Sequence, residues 1–240
     1  MKAIHVPAVN ARYWAGITLA SVFGTNMGDF YAHESGLGLG VGLLVLAALV
    51  AVTVVLERAD SRVHELWYWL AIIIIRTGAT NIADFLSFGV HINMLVSSGA
   101  LALLIALLAG VESRWGHQSA PGFPQTNTRF WVAMLAAGVL GTVMGDFTSH
   151  ALGTGIASLL LCALLAVELG YGRLGYRPPM FLHYWLTVAI ARTAGTAVGD
   201  HLAESHDLNV GLPTSTLITG CAFVAVLLLW RGGGQRPVSA

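Results

Sequence analysis

The sequence predicts an all-α integral membrane protein: eight transmembrane helices built from four parallel helix-pair repeats, paired as two pseudo-symmetric halves. Three observations predict it: an apolar composition, an aromatic-to-aspartate spacing kept four times, and a one-sided placement of basic residues. Of 240 residues, 56% are hydrophobic and 10% charged, and the mean hydropathy is positive, a balance that suits a bilayer better than a soluble core. A spanning helix needs about 20 mostly apolar residues, so eight of them consume most of the chain. The lipid bilayer is therefore the expected partner. The formal net charge is zero and there is no basic block, so no nucleic-acid partner is expected. The first ten residues hold one lysine and no apolar run ending in a cleavage site, so the first helix is expected to serve as its own insertion signal.

The repeats are marked by four aromatic pairs, Tyr13-Trp14, Tyr68-Trp69, Phe130-Trp131 and Tyr184-Trp185. Fifteen residues after each tryptophan stands an aspartate, Asp29, Asp84, Asp146 and Asp200, closing the motifs GTNMGD, ATNIAD, GTVMGD and GTAVGD. Recurrence at such a period marks a repeat architecture. Each motif helix is followed by a short polar turn and a plainer apolar stretch, at 37–56, 92–111, 152–167 and 211–230 in turn. The first and third copies share GDF followed by a histidine, His33 or His150; the second and fourth share an arginine, Arg76 or Arg192. Two successive duplications explain this alternation and divide the chain into a first half at 1–117, a cytoplasmic linker at 118–128 and a second half at 129–240. Because every repeat holds an even number of spans, all four motif helices run the same way and carry their aspartates to one membrane face.

Ten of the twelve Lys and Arg residues lie at motif-helix starts, between repeats or at the termini: Lys2, Arg12, Arg58, Arg62, Arg114, Arg129, Arg173, Arg177, Arg231 and Arg236. The positive-inside rule places those segments, and both termini, in the cytoplasm. Each tryptophan then suits the inner interface belt, with its aspartate roughly 22 Å further out along the helix.

Within each motif two small residues stand four apart: Gly24 and Gly28, Ala79 and Ala83, Gly141 and Gly145, Gly195 and Gly199. This is the small-xxx-small pattern of closely packed membrane helices. Thr25, Thr80, Thr142 and Thr196 precede their aspartates by four and share the adjoining stripe, so a centre lined by four threonines and four carboxylates is expected to bind a substrate or ion. Ionisable groups inside a membrane are costly and mark function by default, and four aligned carboxylates repel one another unless protonated, paired or neutralised by a cation. The competing reading is structural, with each aspartate tethering a neighbouring helix end.

Asp29 with His33, and Asp146 with His150, could offer oxygen and nitrogen ligands to a divalent metal. The equivalent residues Phe88 and Glu204 restrict such a site to twofold. The same two histidines could instead be axial ligands of a haem. Arg76 and Arg192 lie eight residues before their aspartates, about 12 Å along the axis, too far to pair on one helix; they are expected to find charge-balancing partners on other helices. His64, His183, His201 and His206 read as surface or interface residues, and Cys162 and Cys221 as packing residues. No phosphate loop, readable nucleophile–base pair or zinc-protease motif is present, so hydrolase chemistry is not indicated.

The aromatic pair and the fourfold Gly-Thr-x-x-Gly-Asp motif, across nearly the whole chain, resemble a bacterial repeat family of membrane-anchored proteins of unknown function. The resemblance implies a multi-pass protein of the bacterial inner membrane and carries no activity with it. Where the family has a lysine in some motif helices, this chain has Arg76 and Arg192, so a lysine-based role does not transfer. The leading expectation is a membrane transporter or channel for a small cation, divalent metals included. The alternatives are a haem- or metal-binding redox protein and a structural or partner-binding membrane protein; a homo-oligomer is compatible with each.

Overall fold

The computed structural model describes residues 7–34, 36, 38–60, 65–115, 127–173, 180–205 and 208–230. Among them lie eight α-helices: α1 (Ala11–Glu34), α2 (Gly38–Ala59), α3 (Leu66–Asp84), α4 (Met94–Trp115), α5 (Thr128–Leu152), α6 (Thr154–Arg173), α7 (Met180–Glu204) and α8 (Leu212–Leu229). A π-helical turn, Phe85–Gly89, carries the chain beyond the aspartate of α3. The helices outrun the apolar stretches, α6 reaching Arg173 and α4 Trp115, because polar residues at a helix end extend its hydrogen bonding without entering lipid. The expected linker at 118–128 lies outside the described residues except for Asn127 and Thr128.

Local signals set the helix ends. Asn10 and Asn127 stand three residues before Tyr13 and Phe130, and each side-chain oxygen accepts that residue's backbone N–H, at 3.1 and 2.9 Å; asparagine is among the best N-caps. Gly153 alone separates α5 from α6 at φ 83°, ψ 148°, and Gly211 precedes α8 at φ 74°, ψ 159°. That region is essentially restricted to glycine.

The four motif helices α1, α3, α5 and α7 form a closed ring, each touching the next, with α7 returning to α1; α2, α4, α6 and α8 lie outside it and lean chiefly on α3, α5, α7 and α1. Each repeat's second helix thus supports the next repeat's motif helix. Large apolar side chains cover the outside, Leu44 being 71% and Leu159 73% exposed. Among the described residues, six helices are long and apolar enough to cross a membrane: α2, α3 with its π-turn, α4, α5, α6 and α8. The molecule is a transmembrane helical bundle with internal repeats. Helices α1 and α7, of 24 and 25 residues, fall outside that set because they carry buried polar residues, among them Ser21, Thr25, Asn26, Thr187, Arg192 and Thr196.

Close approach within the ring comes from small residues spaced by four, such as Gly16, Ala20, Gly24 and Gly28 on α1. Methyl groups on Gly28 and Gly145 would meet the Cβ atoms of Thr80 and Thr196 at 2.7 and 2.6 Å, and one on Gly199 would meet that of Thr25 at 3.3 Å. Gly24 seats against Arg76, Gly141 against Arg192 and Gly195 against Ser21, while Ala79 faces Gly138. The first small residue of each motif therefore meets the position eight residues before the next helix's aspartate. Ala83, the second small residue of α3, is fully buried.

Each tryptophan packs on the first aromatic of a neighbouring repeat, with ring centroids of Tyr13 and Trp69 at 5.8 Å, Tyr68 and Trp131 at 5.8 Å, Phe130 and Trp185 at 5.7 Å, and Tyr184 and Trp14 at 5.7 Å. One expectation about packing is corrected here. Cys162 and Cys221 are free thiols on the exposed surface of the bundle, because the outer helices bury only a narrow stripe and both cysteines lie off it.

Candidate functional site

The ring encloses a polar axis built in layers. Its centre is Arg76, fully buried. Its two Nη atoms donate to all four motif threonines: Nη1 to Thr80 at 2.8 Å and Thr142 at 2.9 Å, Nη2 to Thr25 at 2.5 Å and Thr196 at 2.6 Å. One threonine comes from each repeat. Thr25 and Thr196 also donate to the backbone carbonyls of Ser21 and Arg192, at 3.0 and 3.2 Å, which spends each hydroxyl proton on its own helix and leaves the lone pairs for the guanidinium. The threonines expected around an open ion site thus converge on an internal cation. The arginine does find partners on other helices, but they are hydroxyls.

Arg192 occupies the same place in its repeat and is equally buried, yet its guanidinium turns the other way. It reaches Ser21 Oγ at 3.3 Å and Met134 Sδ at 3.4 Å. Each hydroxyl oxygen accepts one bond from Arg76, but a second guanidinium beside it would set two like charges at one height in a low dielectric, where they repel strongly. Ser21 supplies the oxygen that decides which arginine turns down: its counterpart in the third repeat is Gly138, which could offer Arg76 nothing.

Below Arg192 lies a cluster that sequence reasoning missed. Tyr13 Oη bonds to Tyr68 Oη at 2.7 Å and to Tyr184 Oη at 2.6 Å, all three buried, while the fourth place is Phe130. These residues served only as alignment markers; a phenol at one repeat position in three copies out of four was the available signal.

At the opposite end, Asp29, Asp84, Asp146 and Asp200 are partly buried and share one electrostatic neighbourhood. Asp84, Arg76 and Glu204 act on Asp146, and Asp146, Asp29, Glu204 and Arg76 act on Asp200. Arg76 is therefore both the base of the acidic cluster and the hub of the threonines. Among the described residues no three His, Cys, Asp or Glu side chains are placed to share a metal ion. His150 is exposed and its Nδ1 lies 2.7 Å from the backbone oxygen of Asp146, turned onto its own helix; the His33 side chain lies outside the described residues, as do His64 and His206. Neither a twofold metal set nor a pair of axial haem ligands is assembled by what is described. His183 pairs with Glu168 at 2.7 Å and His201 with Thr154 at 3.1 Å, so both work between helices.

A family model described as Repeat of Unknown Function (DUF347) matches residues 12–62, 129–173 and 183–232, more than half of the chain. These segments contain the first, third and fourth motifs; the second, with Arg76, falls between them. No curated protein and no solved structure matches the chain.

Proposed function

For a chain that belongs to the DUF347 repeat family, we propose a membrane transporter of a small cation, whose binding site is the ring of Asp29, Asp84, Asp146 and Asp200. The observation that supports this most is the convergence of one aspartate per repeat above a single arginine held by one threonine per repeat. All eight helices cross the inner membrane in this reading, with both termini cytoplasmic. Helices α1 and α7 can do so despite their polarity because the residues that lower it face the axis, not lipid.

The axis favours a carrier over an open channel. A cation passing the aspartates next meets two guanidinium groups on the ring axis, a barrier to free conduction. The carboxylates do not gather three to one ion, so the cation is bound with part of its water, or after the ring tightens. Arg76 is the resident counter-charge: an arriving cation competes with it for the carboxylate field, and the four threonines hold the guanidinium when the site is unloaded.

The test is uptake of monovalent and divalent cations by liposomes containing wild-type protein or an Asp29→Asn, Asp146→Asn variant that keeps its melting behaviour. Flux of one ion that the variant abolishes supports the carboxylate site. Wild-type liposomes that take up none of the ions tested would overturn the proposal.

A further inference from the structure

On the motif helices, the buried hydroxyls of Ser21, Thr25, Thr187, Thr193 and Thr196 each donate to the backbone carbonyl four residues earlier, the usual back-bonding of such residues in helices. Thr80 and Thr142 serve Arg76. Three serines do neither: the Oγ atoms of Ser87, Ser98 and Ser149 are shut off from solvent and have no hydrogen-bond partner among the described residues. A buried polar group left so is a cost to the fold. Ser98 belongs to the outer helix α4. The other two hold one place in the repeat, three residues after Asp84 and Asp146, where the first and fourth copies have Ala32 and Ala203.

Ser149 is the deeper of the pair, only 9% exposed. It follows Thr142 by seven residues, two helical turns of about 3.6 residues each, so it lies on the line of α5 that brings Thr142 to Arg76. It also follows Asp146 by three, and side chains at that spacing are neighbours, with Cβ atoms about 5–6 Å apart. Ser149 is therefore aimed into the aspartate end of the ring. Ser87 stands on the π-helical turn beyond Asp84, a feature frequent at functional sites. Helices α3 and α5 touch, and among the acidic groups Asp84 is the one whose charge acts most on Asp146.

Two carboxylates and two hydroxyls thus share one side of the aspartate ring, and the set is oxygen only. His150 is exposed and turned to the backbone oxygen of its own helix, and the thiols of Cys162 and Cys221 lie on outer helices. Oxygen donors suit hard cations, whereas imidazole and thiolate favour zinc, copper and nickel. No third His, Cys, Asp or Glu joins the two carboxylates among the described residues; the serines supply the further oxygens, each with two lone pairs. We infer that Asp84, Asp146, Ser87 and Ser149 hold a hard cation of the alkali or alkaline-earth class on the α3–α5 side of the aspartate ring, with water completing its shell. This rests on the reading of the aspartates as a cation site and names the ion class that the site takes.

The experiment dialyses full-length protein in detergent to equilibrium against radiolabelled sodium or calcium, in a buffer whose other cations are large and organic. Retention of one of the two above protein-free detergent is expected, displaced by the same unlabelled ion and not by equimolar zinc. Below saturation, Ser149→Ala is expected to lower retention at least several-fold, whereas Ser98→Ala, which removes an equally buried hydroxyl from α4, leaves it unchanged. Ser149→Cys keeps the side chain's shape and exchanges oxygen for sulfur; it is expected to lower retention as strongly, and serves where the alanine variant does not fold. No retention of either ion, displacement from wild type by equimolar zinc, or retention unchanged in a folded Ser149→Ala or Ser149→Cys protein would overturn the inference. Flux that needs the aspartates but not Ser149 would leave the carrier standing without it; retention that needs Ser149 in a protein that shows no flux would leave the site standing without the carrier.

Discussion

Arg76 on α3 donates to Thr142 on the neighbouring α5 at 2.9 Å, a bond across 66 positions of sequence. It is one of four such bonds to one guanidinium, and the stability of the bundle should depend on the acceptors more than on the charge they hold.

Replacing both Thr25 and Thr196 by valine leaves one Nη of Arg76 without either of its partners. Each lost acceptor for a buried charged donor costs about 1–3 kcal/mol. Arg76→Met removes the charge itself; Thr25 and Thr196 keep their bonds to backbone carbonyls, and the aspartates that lose their counter-charge are only partly buried, which limits the cost of leaving them unpaired. Thermal unfolding in detergent should therefore rank the double valine variant well below Arg76→Met, and the opposite ranking would mean that the threonines do not hold the arginine.

Gly141→Ala should be destabilising by about 1–3 kcal/mol, because its methyl would lie 2.8 Å from the backbone carbon of Arg192 and 3.0 Å from the backbone nitrogen of Thr193, atoms that move only with their helix. Gly99→Ala and Gly170→Ala meet nothing within 4 Å and should hold or raise the melting temperature, since alanine is favoured in helices by about 1 kcal/mol. Equal effects at the three positions would contradict the close approach of α5 and α7.

Gly153→Ala tests the one-residue reversal between α5 and α6. There is open space around the position, so any loss comes from the backbone conformation alone, about 1–3 kcal/mol. An alanine variant with a wild-type melting curve would refute the strained reversal.

Orientation can be read chemically. In a Cys162→Ala, Cys221→Ala background, Leu208→Cys marks the aspartate end and Ala8→Cys the other; both residues are exposed. An impermeant maleimide applied to intact cells should label the first and spare the second until the membrane is opened. The reverse pattern would place the aspartates in the cytoplasm.

The repeat, the helix count and the small-residue contacts were legible because each is a property of one helix: a period, a length, a spacing of four. The meeting of Thr25, Thr80, Thr142 and Thr196 on one guanidinium was not, since it depends on which way an arginine turns along an axis shared by four helices. The same limit hid the tyrosine hydroxyls and the split between Arg76 and Arg192, two residues with the same place in their motifs and opposite neighbours. The membrane spans show the converse. Hydropathy marks out the four outer helices together with α3 and α5 and passes over α1 and α7, whose polar residues are part of what the ring encloses.

The unequal positions around the axis have a consequence for why the copies are joined in one chain. In an assembly of identical units, either arginine could claim the four hydroxyls, and the population would divide evenly between two mirror occupancies. Ser21 in the first half where the second has Gly138, Ile17 where it has Met134, and Tyr13 where it has Phe130 make the two choices unequal, and a bias of about 1.4 kcal/mol is enough for a tenfold preference. Such differences can be written only into copies that mutate independently yet always assemble together. Fusion of the repeats converts a degenerate, symmetric core into one with a defined sense along its length.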